Sequence, residues 1–237
     1  IFNSTPEMIL QGQDIPIHLG SFMPAMKAVA DFFGEDIHEG DLILHNDPAY
    51  QGSHIVDMCM YRPIFYKGKH VFWTACKGHL TDAGGPVPAS YNPEATEIFA
   101  EGLRIPPIKL WDKGKPRDDI LNMVLTNMRA RRNQEGDFRA LIGSCQVGER
   151  NLINMLDKYG LDEVNLCIDE LLSMADRHMR SLIKEIPDGN YSGTAILEDA
   201  GHGLGDMEIT ANLTIKDDVC DIGIISPPQV PYFINSY

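Results

Sequence analysis

The sequence predicts an α+β fold: a mixed β-sheet with hairpins, joined to a helical segment over about 118–186. Three observations carry this expectation. Residues 41–79 have strand texture, with the turn signal Lys67-Gly68 between two apolar runs. From Asp118 onward apolar residues recur with helical spacing. After residue 190 strand-like alternation returns.

In chain order, residues 1–20 carry short β-like runs broken by Pro6, Gly12 and Pro16. Ser21 is placed to cap a helix running to about Phe33, with Pro24 tolerated in its first turn and Gly34 ending it. Strands follow at Leu42–Leu44, Asp57–Tyr66 and Lys69–Lys77. Residues 80–118 hold most of the prolines and many glycines, yet their mixed side chains suit an ordered functional loop rather than a linker.

Ile120, Leu121, Val124, Leu125 and Met128 then form one helical stripe. A second helix is expected from about Gly136 to Tyr159, closed by Gly160. A third carries Val164, Ile168, Leu171, Leu172, Ala175, Met179, Leu182, Ile183 and Ile186 on one face until Pro187-Asp188-Gly189 stops it, and that face reads as core. The last strands are Tyr191–Leu197, Met207–Ile215 and Val219–Ile225, with Asp217-Asp218 as a turn. No internal repeat is present, so residues 1–237 read as a single region.

Composition narrows the function classes. The chain has 237 residues, 43% of them hydrophobic, with 20 Lys+Arg against 34 Asp+Glu and a formal charge of −14. That charge disfavours nucleic acid and anionic lipid as partners, and the sole basic cluster is Arg129, Arg131 and Arg132. No run approaches the ~18 apolar residues of a membrane span. Five cysteines without a C-x-x-C pattern suit reduced thiols, and with no secretory signal the expected location is cytoplasmic. The opening at Ile1 and the strand-like close at Phe233–Tyr237 read as a fragment of a larger subunit, truncated at both ends.

The chemistry concentrates in Asn46–Asp57 and Lys77–Gly85. A three-residue loop Lys67-Gly68-Lys69 sets Asp57 directly opposite His79, and facing Cβ atoms lie only ~4.5–5.5 Å apart. His54 sits three residues before Asp57, where the Gly52-Ser53 break lets the chain curl toward the same point. A two-residue Lys67-Gly68 turn instead sets Asp57 against Gly78, and Pro63 invites a bulge that shifts the pairing by one. Either register leaves Asp57 and His79 neighbours. Two imidazoles and a carboxylate suit Zn²⁺, Mn²⁺ or Fe²⁺ rather than Ca²⁺ or Mg²⁺, and three protein ligands leave room for water or substrate. Polar residues at strand ends also serve as ordinary caps and surface hydrogen bonds.

Other candidates are weighed the same way. Asp82 is placed to act as a general acid/base, to hold a ligand in position, or to cap the Gly84-Gly85 turn. Glu97, Glu101 and Arg104 either line a site or pair with one another. The Arg129–Arg132 cluster either holds an anion or solvates a helix end. Cys76 with His79 would make a thiol nucleophile only if the strand ended early; a buried strand thiol is usually inert. His18, His38, His45, His70, His178 and His202 have no partner that the sequence places.

Several segments in order resemble the hydantoinase B/oxoprolinase family: Asn46-Asp47-Pro48 with His54 and Asp57; Gly78-His79 with Asp82–Gly85; Thr96–Pro107; Gly136-Asp137; and Gly148-Glu149-Arg150. The likeness runs from Ile15–Gly20 to the end. Ser226-Pro227-Pro228-Gln229 and Tyr232–Tyr237 resemble the acetophenone-carboxylase type of subunit.

The resemblance implies a metal site at His54, Asp57 and His79, with a further ligand Asp in a segment that would precede Ile1. Two positions depart from the family pattern: Leu80 where a second His is usual, and Leu141 where a Gln is expected. The family works with a hydantoinase A-type ATP-binding subunit and, in some branches, a small accessory subunit. ATP and its Mg²⁺ are therefore expected on the partner, in keeping with the lack of a G-x-x-x-x-G-K-[ST] motif here. The implied activity is first an ATP-dependent carboxylation of a ketone of the acetophenone or acetone type, joining an activated enol to bicarbonate. The alternative is ATP-dependent hydrolysis of a cyclic amide such as a hydantoin or 5-oxoproline. A structural subunit without catalysis is the third possibility.

Overall fold

A computed structural model describes residues 1–12, 17–198, 202–228 and 230. Ile15, Pro16, Gln229 and the run from Tyr232 to Tyr237, which carry part of the family resemblance, lie outside the described residues. The chain forms two compact units, Ile1–Leu161 and the part from Asp162 onward.

The first unit is built on a six-stranded sheet of order β1-β4-β3-β2-β5-β6. Its strands are β1 (Phe2–Asn3), β2 (Leu42–His45), β3 (Asp57–Tyr66), β4 (Lys69–His79), β5 (Ile108–Asp112) and β6 (Lys115–Pro116). The helices are α1 (Ile17–Phe33), α2 (Asp118–Thr126) and α3 (Arg131–Tyr159). Every pairing is antiparallel, so the sheet is not mixed as the sequence suggested. Tight turns at Lys67-Gly68 and Lys113-Gly114 return β4 beside β3 and β6 beside β5, a route open only to antiparallel neighbours.

Strand alternation divides the core in two. Ile43, Cys59, Tyr61 and Trp73 face one way and pack against Met26 and Val29 of α1. Leu42, Leu44, Met58 and Met60 face the other way and meet Val124 and Leu125 of α2 and Phe138 and Cys145 of α3. Both faces of the central strands are therefore covered, and the apolar run in β2 and β3 is continuous rather than alternating. Each of these fully buried large side chains contributes about 1.5–3 kcal/mol.

The β3–β4 hairpin resolves the competing registers. Asp57 pairs with His79 at its base, while Tyr66 pairs with Lys69 at its tip, and a bulge between Ile64 and Phe65 reconciles the two. Lys67 and Gly68 have φ of 51° and 78°, the left-handed pair of a two-residue hairpin turn. The expectation of a three-residue loop is thus correct for the register at the base and wrong for the tip.

α3 starts five residues before Gly136 and ends at Gly160, whose φ of 81° closes it. It lies close against the sheet because Gly148 faces Thr74: a Cβ there would sit 2.6 Å from Thr74 Cγ2. Thr74 Oγ1 donates to the Cys145 carbonyl at 3.1 Å, and Arg62 Nε meets Glu149 Oε2 at 2.6 Å. Gly148→Ala is expected to cost about 1–3 kcal/mol through overpacking against a stiff β-branched side chain, read as a lower thermal midpoint.

His45 gives a second stability prediction. It is fully buried on β2 beside Tyr61, and burial pushes its pKa down to about 4. The unfolded chain takes up this proton near pH ~6.5. The folded chain refuses it until about pH 4. Stability from this group is therefore complete above the unfolded value and declines as the pH falls through that window, by up to about 3 kcal/mol. Denaturant midpoints measured at about pH 7 and about pH 5 should show the fall, and His45→Leu should flatten it.

The second unit holds α4 (Leu161–Ile183) and a three-stranded antiparallel sheet of β7 (Gly189–Leu197), β8 (Met207–Lys216) and β9 (Val219–Ile225). The third helix forms as expected, but its apolar stripe is not core. Val164 is buried, whereas Leu171, Leu172, Met179 and Leu182 are exposed. Periodicity reports that a helix has an apolar face, not what covers it. No helix among the described residues is long and apolar enough to cross a membrane.

Candidate metal centre

Asp57 opens β3 and His79 closes β4, and the register sets them face to face. Both fall on the side of the sheet that α1 covers, in step with Cys59 and Tyr61. His54 arrives from the loop before β3. That loop turns back sharply at Gly52, where any Cβ would run into the backbone of Asn46 and Asp47. Asn46 then fastens it: its amide nitrogen donates to the Ile55 carbonyl at 2.5 Å and the Leu103 carbonyl at 2.9 Å, and its oxygen accepts from Ile105 N–H at 2.7 Å. A last turn, Asp57 N–H to His54 carbonyl at 2.9 Å, brings the imidazole over Asp57.

The three side chains converge. His79 Nδ1 lies 2.7 Å from Asp57 Oδ1 and His54 Nδ1 lies 3.1 Å from Asp57 Oδ2. One ligand atom from each can be chosen so that all lie within 4.8 Å of one another. Two donor atoms bound to one ion at about 2.1 Å sit roughly 3–3.5 Å apart, so the three side chains are near enough to close on a shared cation with small side-chain shifts. Burial pushes the Asp57 carboxyl up, but hydrogen bonds from His54, Ser53 and His79 outweigh it and hold the group well below the usual carboxylate range. Asp57 is thus ionised, the form that binds a cation. The donor set of two imidazoles and one carboxylate suits a transition ion.

Further residues complete the surroundings. His18, in the first turn of α1, places Nδ1 4.0 Å from Asp57 Oδ2. Burial lowers the His18 pKa, with the Asp57 charge opposing. The sequence missed it because the helix was expected to start at Ser21; it starts at Ile17, which swings His18 over the sheet and carries Pro24 inside the helix. Ser21 is not a cap. Its hydroxyl donates to the His18 carbonyl at 3.1 Å and accepts from Lys77 Nζ at 2.7 Å. Burial raises the pKa of Glu101, with the His54 charge opposing. A cavity of about 690 Å³ opens beside the cluster, lined by His18, Phe22, Cys76, Lys77, His79 and Cys145 among others.

Asp82 stands outside the cluster. Oδ1 accepts from Arg129 Nη1 at 2.8 Å, while Oδ2 accepts from the backbone N–H of Arg129 at 3.0 Å and of Gly84 at 3.1 Å. Burial pushes its carboxyl up, but these bonds outweigh it and lower its pKa, and they brace the Gly84-Gly85 turn. Arg129 is committed there, and Arg131 bonds Asn122 and Thr126. Arg104 pairs with Asp47 at 2.9 Å rather than with Glu97 or Glu101. The Cys76 thiol lies 3.7 Å from Cys145, and that contact together with burial holds it well above the usual thiol range, consistent with an inert thiol. His38 pairs with Asp36 and His70 contacts the Phe72 carbonyl, so neither joins the site.

The hydantoinase B/oxoprolinase family model covers residues 1–237. The beta subunit of caprolactamase from Pseudomonas jessenii is 68% identical over all 237 residues, which span 41% of that protein's length. The crystal structure of the ATP-dependent caprolactamase from the same organism superposes on the whole chain with a TM-score of 0.94, over 41% of its own chain. The delta subunit of acetophenone carboxylase from Aromatoleum aromaticum is 32% identical over 70% of this chain and 24% of its own.

Proposed function

Because the chain belongs to the hydantoinase B/oxoprolinase family, we propose that it is the metal-holding part of a subunit in an ATP-dependent hydrolase of cyclic amides. A lactam is the favoured substrate class. The observation that carries the choice of reaction is the 68% identity, along the whole chain, to a caprolactamase subunit. The resemblance read from the sequence alone puts ketone carboxylation first. The 32% identity to an acetophenone carboxylase subunit keeps it as the second reading.

In this proposal His54, Asp57 and His79 hold a divalent transition ion, Zn²⁺ or Mn²⁺. The ion supplies a Lewis acid for the amide carbonyl and lowers the pKa of water. The chain's own residues do the rest. Phe22 and the apolar cavity wall receive the hydrocarbon part of the ring and exclude bulk water. His18, held below its ordinary pKa, takes a proton at a ring nitrogen and returns it to the departing amine. The ring C–N bond breaks, the water oxygen enters the new carboxylate, and the nitrogen leaves as an amine. ATP acts on a hydantoinase A-type partner subunit.

The test uses the full-length subunit purified with its partner, supplied with ATP and a panel of lactams, hydantoins and 5-oxoproline. Parallel reactions contain ketones with labelled bicarbonate. ATP-dependent, bicarbonate-independent ring opening of a lactam is expected. Label appearing in a 3-oxo acid, with no ring opening, would move the assignment to the carboxylase. Undiminished turnover in His54→Ala, together with no stoichiometric metal, would instead leave a structural subunit.

A further inference from the structure

A carboxylate ligand can offer a cation one oxygen or two, and the choice sets how many positions stay open for water and substrate. The two oxygens of Asp57 stand in different surroundings. Oδ2 accepts from the Ser53 hydroxyl at 2.6 Å and from the His54 backbone N–H at 3.0 Å, two bonds that occupy it although His54 Nδ1 also lies 3.1 Å away. Oδ1 faces His79 Nδ1 at 2.7 Å.

The sense of the Ser53 bond is fixed from behind. Lys77 Nζ lies 3.0 Å from Ser53 Oγ, and an ammonium can only donate. Ser53 therefore accepts from Lys77 and turns its own proton to Asp57. Lys77 is steadied in turn by Ser21 Oγ at 2.7 Å and by the Phe22 ring, whose centroid is 5.5 Å away. Ser21 passes its proton back to the His18 carbonyl. Every hydrogen bond in this line has one possible direction because it begins at a group with no lone pair. The line also crosses from α1 to β4 to the loop carrying His54, so it ties together the three elements that meet at the site.

We infer that Lys77 and Ser53 are positioning residues that saturate Oδ2 of Asp57 and leave Oδ1 as the single oxygen offered to the cation. This rests on the metal reading above and goes beyond it, because it assigns a role to two residues outside the ligand set. A one-oxygen carboxylate keeps the coordination number low and the cavity side of the ion open. The Lys77 charge also lies next to Asp57 without competing for the cation, since its bonds go to the two serines and its flank to an aromatic face.

Co²⁺ is the probe, because its visible band is strong at low coordination number and weak at high. The full-length subunit, purified with its partner, is stripped with chelator and reloaded. Ser53→Ala opens one position on Oδ2; the band should weaken several-fold and Co²⁺ affinity should fall by about 10–100-fold. Ser53→Thr keeps the hydroxyl and should restore both. Lys77→Met should weaken the band with Ser53 intact, because the hydroxyl is then free to turn away. An unaltered band in Ser53→Ala overturns the inference, as does a Ser53→Thr protein no better than Ser53→Ala. Complete loss of Co²⁺ from folded Ser53→Ala also overturns it, since Ser53 would then hold the ion rather than orient its ligand. If the unsubstituted protein takes up no Co²⁺, or takes it up equally after His54→Ala, the metal reading itself fails. Failure of the two ideas is therefore separable.

Discussion

Asp57→Ala is expected to abolish stoichiometric binding of a divalent transition ion and to reduce turnover by about 10³-fold or more. The size follows from losing several kcal/mol of Lewis-acid stabilisation at about 1.4 kcal/mol per factor of ten. Asp57 is the one ligand within reach of both imidazoles, at 2.7 Å and 3.1 Å, and the one that brings negative charge. Its loss also strands the Ser53 hydroxyl and the His54 N–H, which costs about 1–3 kcal/mol of stability. Circular dichroism and a denaturant midpoint would confirm that the variant is folded under assay conditions. Metal analysis of the purified variant then checks the prediction: a full equivalent of ion retained with normal turnover would exclude Asp57 as a ligand.

Asn46→Ala should give the largest stability loss of any polar substitution near the site. This side chain is fully buried and makes three bonds to backbone groups of Ile55, Leu103 and Ile105. Removing it leaves two buried carbonyls and one buried N–H without that partner, a cost of about 2–5 kcal/mol. Because the Ile55 bond holds the loop next to His54, residual folded protein should also bind the cation more weakly. Asn46→Asp should rescue only the bond to Ile105 N–H, since a carboxylate cannot donate to the two carbonyls. Chemical denaturation with parallel metal titration measures both effects; a loss confined to stability would show that the loop keeps its shape without this anchor.

Much of the site was legible because strand pairing is arithmetic. Once the hairpin is placed, Asp57 and His79 face each other, and the Gly52 break explains how His54 joins them. The bulge at Ile64/Phe65 was not legible in position, although Pro63 signalled that pairing would shift. His18 escaped because its role depends on where α1 begins, and helix ends are poorly marked when a serine inside the first turns can bond the backbone as well as cap it. Lys77 escaped for a different reason. On a strand its direction follows from parity, but its partners Ser21 and Ser53 come from two other segments that only the tertiary fold assembles.

The family motifs also acquire physical reasons. Gly148 and Glu149 dock α3 on the sheet, the first by leaving room for Thr74 and the second by pairing with Arg62. Asn46, Asp47 and Arg104 tie two distant loops together beside the site. Asp82 fixes the Gly84-Gly85 turn directly and anchors Arg129 beside it. The stripe on α4 is the clearest limit of sequence reasoning in this chain. Its period specified the helix correctly, while burial required a surface that the pattern does not describe.

The central claim is that His54, Asp57 and His79 together hold a divalent transition ion. It is tested most directly by anomalous diffraction from crystals of the full-length protein as purified, collected on either side of the zinc and manganese absorption edges. The account predicts one strong peak at the junction of the three side chains, about 2.0–2.3 Å from an imidazole nitrogen of each histidine and from a carboxylate oxygen of Asp57. Well-ordered side chains with no peak between them, or a peak bound by other residues, would contradict it.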